Sequence, residues 1–284
     1  MIELTIDGKR VKGHEGSTIL QVAKESGIEI PTLCFHEALE PWGGCRLCTV
    51  EIMTKDKRKR LVTSCNYQVE EGLSVDTRSE SALAVRKMVI NLLLARSPNV
   101  KIVKETASKL GIEDTPFKKI ENEFCILCGL CVRVCHEIVG AHAITFAAKG
   151  TEKKVSSPYF KPSKDCIGCG ACVYICPAQC IRMKDVEEAS DFYADEKEKI
   201  GYARIVQNWK ARLKLKECRV CGNPFAPENQ LRVLAKRVNL SPDSFDTCPV
   251  CKELIQGSRG QVKMSNDKAQ SSNECQMTKS KFQI

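Results

Sequence analysis

CILCGLCVRVCHE begins at Cys125 and CIGCGACVYICPA begins at Cys166, each with four cysteines separated by gaps of two, two and three residues. Eight thiols at this spacing must converge on something other than a hydrophobic core. Two-residue gaps let one tight loop present three thiolates to the corners of a cubane, while the fourth ligand has to approach from elsewhere. Doubling the motif meets that need, because each half can supply three ligands to its own [4Fe–4S] cluster and one to its neighbour. Cys125, Cys128, Cys131 and Cys176 then form one ligand set, and Cys166, Cys169, Cys172 and Cys135 the other. Gly129, Gly168 and Gly170 permit the tight turns. Pro177 follows Cys176 as it does in the bacterial ligand run. His136 holds that place in the first motif, where Cys135 already fills the ligand role.

A third set precedes these two. Cys34, Cys45, Cys48 and Cys65 are separated by ten, two and sixteen residues. A long gap, a CxxC pair and a distant fourth cysteine follow the order of a plant-type [2Fe–2S] site, although the first gap here is longer. Gly43 and Gly44 stand immediately before Cys45, where their amides can turn toward sulfur. A fourth set, CRVCG at 218–222 and CPVC at 248–251, makes two knuckles about thirty residues apart. Cys218, Cys221, Cys248 and Cys251 suit a tetrahedral zinc, which would staple a domain too small to hold itself together. A single rubredoxin-type iron is the alternative, disfavoured because CKEL lacks a glycine after the second knuckle. Cys180 and Cys275 are left without a role.

The chain has 284 residues, 18 of them cysteine. Their grouping in CxxC pairs argues against a disulfide scaffold and for metal in a reducing compartment. The formal charge of +9 suggests a nucleic-acid binder only while cysteines are counted as neutral. Three four-thiolate clusters and one zinc would remove about 8 units and leave roughly +1. KDKRKR at 55–60 reads as a solvated turn, and no interleaved aromatic and basic surface or helix-turn-helix supports a nucleic-acid partner. The opening MIELTIDGKR enters a strand pattern with no signal-peptide core, and VINLLLA at 89–95 is too short to span a bilayer. A cytoplasmic chain without membrane insertion is therefore expected.

The fold class expected is α+β and multidomain. Residues 1–78 read as a β-grasp [2Fe–2S] unit: IELTI, a DG turn, KRVKG, a helix capped by Ser17 and ended by Gly27, then the strands CTVEIMT and GLSVDT. Residues 79–121 read as a helical spacer and 122–185 as the two-[4Fe–4S] unit. For 186–217 the recurrence of Tyr202, Ile205, Val206, Trp209 and Leu213 predicts a charged helical linker. Residues 218–256 read as a zinc-ribbon-like or rubredoxin-like domain around the helix ENQLRVLAKRVN, and 257–284 as a disordered tail.

PTLCFHEALEPWGGCRLCTVEI followed by TSC, then CILCGLCVRVCHEIVGAHAI and CIGCGACVYICPAQCI, resembles the diaphorase iron–sulfur subunit of bidirectional NAD-linked hydrogenases. It is equally similar to the N-terminal parts of the large iron–sulfur subunit of complex I and of iron-only hydrogenases. The likeness covers about residues 1–185. It implies an electron wire serving an NADH-binding flavoprotein subunit, with a hydrogenase, formate dehydrogenase or similar terminal subunit, or a ferredoxin, at the other end. The family usually carries a further cluster on one histidine and three cysteines after the helix at 79–96; residues 97–124 hold neither residue type. No hydrogenase domain and no dinucleotide-binding glycine loop is present, so no catalytic residue is assigned. The remaining alternatives are a subunit of an NAD-independent complex, linking formate or an acyl-CoA reductase to ferredoxin, and a free ferredoxin-like carrier.

Overall fold

Asp7 and Gly8 take φ values of 51° and 79°, the left-handed pair that a two-residue hairpin turn requires. They join β1 (Ile2–Ile6) to β2 (Lys9–Gly13), paired antiparallel with Leu4 opposite Val11. This hairpin begins a computed structural model that describes residues 1–190 and 199–257. Further strands β3 (Thr49–Met53), β4 (Lys59–Thr63) and β5 (Ser74–Asp76) complete a mixed five-stranded sheet of order β2-β1-β5-β3-β4. The parallel pairing of β1 with β5 places the two ends of this segment side by side.

Helix α1 (Ile19–Glu25) covers the sheet, presenting Ile19, Val22 and Ala23 to Leu4, Ile6, Val50, Ile52 and Val75. Each Ile, Leu or Val among them contributes about 1.5–3 kcal/mol when fully buried. The N-cap is Thr18 rather than Ser17. Thr18 N–H donates to Gln21 Oε1 at 2.8 Å and Gln21 N–H donates to Thr18 Oγ1 at 3.3 Å, a reciprocal box that only a Gln or Glu three residues on can close. Gly27, at φ 73°, ends the helix as expected.

Ser79 caps α2 (Glu80–Arg96) by accepting from Ala82 N–H at 3.2 Å. Its inward face runs Ala82, Arg86, Ile90 and Leu94, while Met88 and Leu92 point to solvent. With α3 (Lys101–Lys109), α2 builds a second core of Ile90, Leu94, Val100, Val103 and Ala107 that also takes in Leu33, Leu47 and Ile126 from the cysteine loops. The strandless stretch after α3 is tied along α2: Thr115 Oγ1 donates to Asn91 O at 2.8 Å, Ile120 N–H to Ala95 O at 2.8 Å, and Arg96 Nε to Cys125 O at 2.9 Å.

The first cysteine motif starts a short helix, α4 (Leu130–Arg133), which widens into a π-helical turn at Val134–Ile138. A ribbon of β6 (Thr145–Ala147) and β7 (Lys154–Ser156) follows, and α5 (Ala171–Tyr174) carries the second motif.

The described residues of 186–217 are not the expected helix. They contribute to an antiparallel sheet of order β11-β10-β9-β8, formed by β8 (Met183–Ser190), β9 (Lys199–Val206), β10 (Ala211–Glu217) and β11 (Pro224–Pro227). Along β10, Ala211, Leu213 and Leu215 are buried and Arg212 and Lys214 exposed, a period of two that prevails over the helical spacing. Trp209 sits in the one-turn link between β9 and β10. Helices α6 (Glu228–Arg237) and α7 (Pro249–Gly257) complete the described chain. The expected tail and Cys275 lie outside the described residues. No helix among those described is long and apolar enough to cross a membrane.

By contact, the residues divide into two units. One holds Met1–Gly140, Phe146–Val155 and Ala171–Cys180; the other holds Ala141–Thr145, Ser156–Gly170 and the described residues from Ile181 onward.

Candidate metal centres

Cys34, Cys48 and Cys65 are buried and Cys45 is half-buried, all at one end of the N-terminal sheet and its loops. Cys45 N–H donates to Cys34 Sγ at 3.3 Å. A thiol hydrogen bond with Cys34 holds Cys45 down to about 6, helped by the amides of Leu47 and Leu33. Cys65 does the same for Cys48, bringing it to about 7, while Cys34 and Cys65 are pushed up in return. The Gly43 amide reaches Cys65. Gly43 stands at φ 68°, and a Cβ there would meet Asn66 Nδ2 at 2.9 Å and Thr63 Oγ1 at 3.0 Å, so this turn admits glycine alone. Four thiols surrounded by inward amides fit a [2Fe–2S] cluster, whose sulfurs accept such bonds.

The first cubane set is gathered within one unit. Cys131 is buried, and Cys128, Cys125, Cys172 and Cys176 all act on it electrostatically. Thus Cys176, from the second motif, stands among the three cysteines of the first. Leu127 and Gly129 take φ of 53° and 76°, which winds the loop so that the Leu127 amide faces Cys125 and the Leu130 amide faces Cys128. Burial pushes Cys128 up to about 12. The thiol that sequence reasoning left without a role lies here too. Cys180 Sγ is 3.7 Å from Cys176 Sγ and also bonds Cys125, drawing Cys176 to about 6 and Cys125 to about 7. Its spacing of four from Cys176 was the only sequence signal.

Members of the other cubane set are divided: Cys135 and Cys172 belong to the first unit, Cys166 and Cys169 to the second. Within the second unit the loop at Gly168 is fastened to the sheet. Arg204 Nη1 donates to Gly168 O at 3.1 Å, while its Nε and Nη2 bond both oxygens of Asp185 at 2.8 and 3.0 Å. A Cβ on Gly168, at φ 67°, would meet Leu213 Cδ1 at 2.8 Å and Pro227 Cγ at 3.0 Å.

The sulfurs of Cys218, Cys221, Cys248 and Cys251 all lie within 4.8 Å of one another. Zn–S bonds of about 2.3 Å give a tetrahedron with S–S edges of about 3.8 Å, which this cage fits. Cys248 N–H donates to Cys218 Sγ at 3.3 Å and Cys251 N–H to Cys248 Sγ at 3.5 Å. Burial works to raise Cys218, yet the amides of Cys248, Cys221 and Val220 bring it down to about 6. These cysteines form the centre of their own small core, with Phe225 and Val250 against them.

The [2Fe–2S] set and the first cubane set adjoin. Cys45 and Cys128 pack against the same buried cluster, which contains Leu33, Leu47 and Ile126. Arg133, on α4, ties the two loops: Nη1 donates to Cys34 O at 3.2 Å, Nη2 to Glu40 O, and Nε pairs with Glu137 Oε1 at 3.1 Å. Glu137 Oε2 accepts from Glu40 N–H at 2.9 Å. Trp42 lies under the same guanidinium, 6.0 Å from its ring centroid, and stacks on Phe146.

Residues 1–80 match the 2Fe-2S iron-sulfur cluster binding domain and residues 124–180 the 4Fe-4S dicluster domain. The alpha subunit of an NADPH-Fe(3+) oxidoreductase from Geobacter sulfurreducens is 33% identical over 201 residues, covering 62% of this chain and 23% of that protein. The mitochondrial NADH-ubiquinone oxidoreductase 78 kDa subunit of Neurospora crassa is 29% identical over 209 residues, covering 64% and 28%. A subunit of the NADP-reducing hydrogenase of Solidesulfovibrio fructosivorans is 31% identical over 208 residues, covering 62% and 35%. The chain therefore spans only a quarter to a third of these relatives. A solved chain of an NAD+-reducing [NiFe]-hydrogenase aligns with 55% of this chain and 75% of its own length, at 26% identity and a TM-score of 0.49. The chain thus combines a 2Fe-2S iron-sulfur cluster binding domain over residues 1–80 with a 4Fe-4S dicluster domain over residues 124–180, and over about 200 residues it is similar to subunits of NADPH-, NADH- and NADP-linked oxidoreductases and hydrogenases.

Proposed function

We propose that this chain relays electrons between a nicotinamide-oxidising flavoprotein subunit and a terminal redox partner, a hydrogenase, formate dehydrogenase or ferredoxin. Cys34, Cys45, Cys48 and Cys65 hold one [2Fe–2S] cluster. Cys125, Cys128, Cys131 and Cys176 hold the first [4Fe–4S] cluster, and Cys166, Cys169, Cys172 and Cys135 the second. Cys218, Cys221, Cys248 and Cys251 hold a structural zinc in a ribbon-like domain. Each cluster supplies a one-electron couple when bound. The chain's residues fix the spacing of the sites, exclude water and direct amide N–H groups at sulfur, which sets potentials. Nicotinamide and flavin belong to the partner, since no dinucleotide loop occurs in this sequence.

The packing of Cys45 and Cys128 against one buried cluster carries this reading. Two redox sites separated by a few packed side chains suit direct transfer, with no intervening cluster in residues 97–124. The nicotinamide dependence named for the relatives supports the choice of partner. Anaerobic analysis of the reconstituted chain is expected to give about ten irons, two plus four plus four. Dithionite should bleach its visible absorption, and NADH or NADPH should do so only after the cognate flavoprotein subunit is added. Bleaching by NADH alone would overturn the relay reading; failure with every nicotinamide-oxidising flavoprotein of the host would favour the NAD-independent complex.

A further inference from the structure

The inward face of α2 runs through an arginine. Arg86 is only 4% exposed, among Ala82, Ile90 and other residues of the helix's packed side. Its Nη2 donates to Thr49 O at 2.8 Å, and its buried Nε has no hydrogen-bond partner. No carboxylate among the described residues forms an ion pair with it. Asp7 acts on it at longer range, but both Asp7 oxygens are taken by Thr77, at 2.7 Å from N–H and 2.6 Å from Oγ1. Removing a guanidinium from water without a partner costs several kcal/mol, so a fold that keeps one has a counter-charge to offer it.

The position of that counter-charge follows from what Arg86 grips. Thr49 is the residue directly after Cys48, and Cys48 is the largest favourable charge acting on the guanidinium, against the desolvation that lowers its pKa. Four thiolates, two sulfides and two ferric ions carry a net charge of about −2, and one-electron reduction makes it about −3. We propose that Arg86 is the buried counter-charge of the [2Fe–2S] site, holding its reduction potential up and its loaded form stable. The sign follows from charge: a fixed cation interacts more strongly with the more negative reduced state, and the low local dielectric strengthens that preference. Arg86 thereby links the hold of α2 on β3 to the loading of the ligand loop. The inference rests on the [2Fe–2S] reading of Cys34, Cys45, Cys48 and Cys65.

The experiment uses the full reconstituted chain. Iron content and the paramagnetic signal of the parent protein establish first that the [2Fe–2S] site is loaded; absence of that signal would fault the underlying reading rather than this one. Potentiometric titration followed by paramagnetic resonance is then made on Arg86→Met, Arg86→Gln and Arg86→Lys. The expected result is a negative shift of the [2Fe–2S] midpoint in Met and Gln, a smaller one in Lys, and no movement of either [4Fe–4S] midpoint. Thermal unfolding gives a second, independent sign. Arg86→Met should lower the melting temperature of the loaded protein, yet raise it or leave it unchanged in a Cys48→Ser/Cys65→Ser background that cannot hold the cluster. An unmoved [2Fe–2S] midpoint in Met and Gln would overturn the proposal. So would equal destabilisation, or failure to fold, in the cluster-free background, because Arg86 would then be a staple between α2 and β3.

Discussion

Cysteines of the N-terminal sheet decorate a core, whereas those of the C-terminal knuckles are one. Cys48 and Cys65 are two buried members of a larger apolar cluster that includes Leu4, Ile6, Ile19, Val22, Val50 and Val75. Cys218, Cys248 and Cys251 are themselves the buried members of their cluster, with Cys221, Phe225 and Val250 packed around them. Two groups of four cysteines thus play opposite parts in the packing of one chain. In the first region an apolar core positions the thiols; in the second the thiols are themselves the buried centre around which the chain packs.

The comparison breaks most visibly under metal removal. A structural four-thiolate zinc contributes about 10–16 kcal/mol of apparent binding energy, more than the whole stability of a small domain. Cys251→Ser, or a strong chelator, should expose residues 218–257 to limited proteolysis and release one zinc without changing the iron count. Cys34→Ser should remove the [2Fe–2S] absorption and leave the N-terminal sheet protease-resistant. Equal proteolytic resistance of both regions after metal loss would erase the contrast. Loss of one iron and a mono-iron signal from Cys251→Ser would instead make the C-terminal site a rubredoxin-type centre.

Next in size is a pure packing effect. Leu47 is fully buried between Cys45 and Cys48 and belongs to the cluster that joins the ligand loops to α2 and α3. Leu47→Ala should cost about 2–5 kcal/mol in denaturant unfolding. It should also speed [2Fe–2S] loss, because both flanking ligands lose their support. Faster loss of the first cubane is expected as well, through Cys128 in the same cluster. A variant that loses stability with both cluster lifetimes unchanged would show that the core and the sites are independent.

How far the sequence disclosed these two regions follows from the range of the forces involved. The hairpin turn at Asp7–Gly8 and the end of α1 at Gly27 are local, and each is present as expected. Two periodicities overlap near the end of the 186–217 stretch: Val206, Trp209 and Leu213 satisfy a helical spacing, while the alternation of Ala211, Leu213 and Leu215 satisfies a strand. Pairing with Pro224–Pro227 on one side and with Lys199–Val206 on the other decides between them, and those contacts are not visible in a short window. Apolar residues surround α2 on nearly every side, so nothing in the pattern revealed that Met88 and Leu92 face water while Arg86 is buried. Cys180 failed for a similar reason: its neighbours Cys125 and Cys176 are brought together only by the fold.

A smaller change probes the second region through backbone strain. Gly168 occupies φ 67° with Leu213 and Pro227 within about a contact distance of where a Cβ would stand. Gly168→Ala should cost about 1–3 kcal/mol by overpacking and left-handed strain. Its effect should fall on one [4Fe–4S] signal, that of the set containing Cys166 and Cys169, and spare the set containing Cys125. Equal loss of both signals would mean that this loop does not serve a single site.

The finest test separates two hydroxyls in the first region. Ser17 and Thr18 are adjacent candidates for the cap of α1, and only Thr18 makes the reciprocal bonds with Gln21. Thr18→Ala removes the acceptor for Gln21 N–H and leaves the side chain of Gln21 with half of its pairing. Caps of this type are worth about 0.5–2 kcal/mol. Ser17→Ala removes no cap bond, and its cost should stay within about 0.5 kcal/mol, as for an ordinary surface change. Denaturant midpoints of the two variants, followed by far-ultraviolet circular dichroism, give the comparison. Because α1 covers the sheet on its core side, Thr18→Ala should shift the sheet's unfolding while [2Fe–2S] absorption persists up to that midpoint. Absorption lost well before the sheet unfolds would show that the ligand loops depend on α1 directly, and that the core does not hold them as a unit.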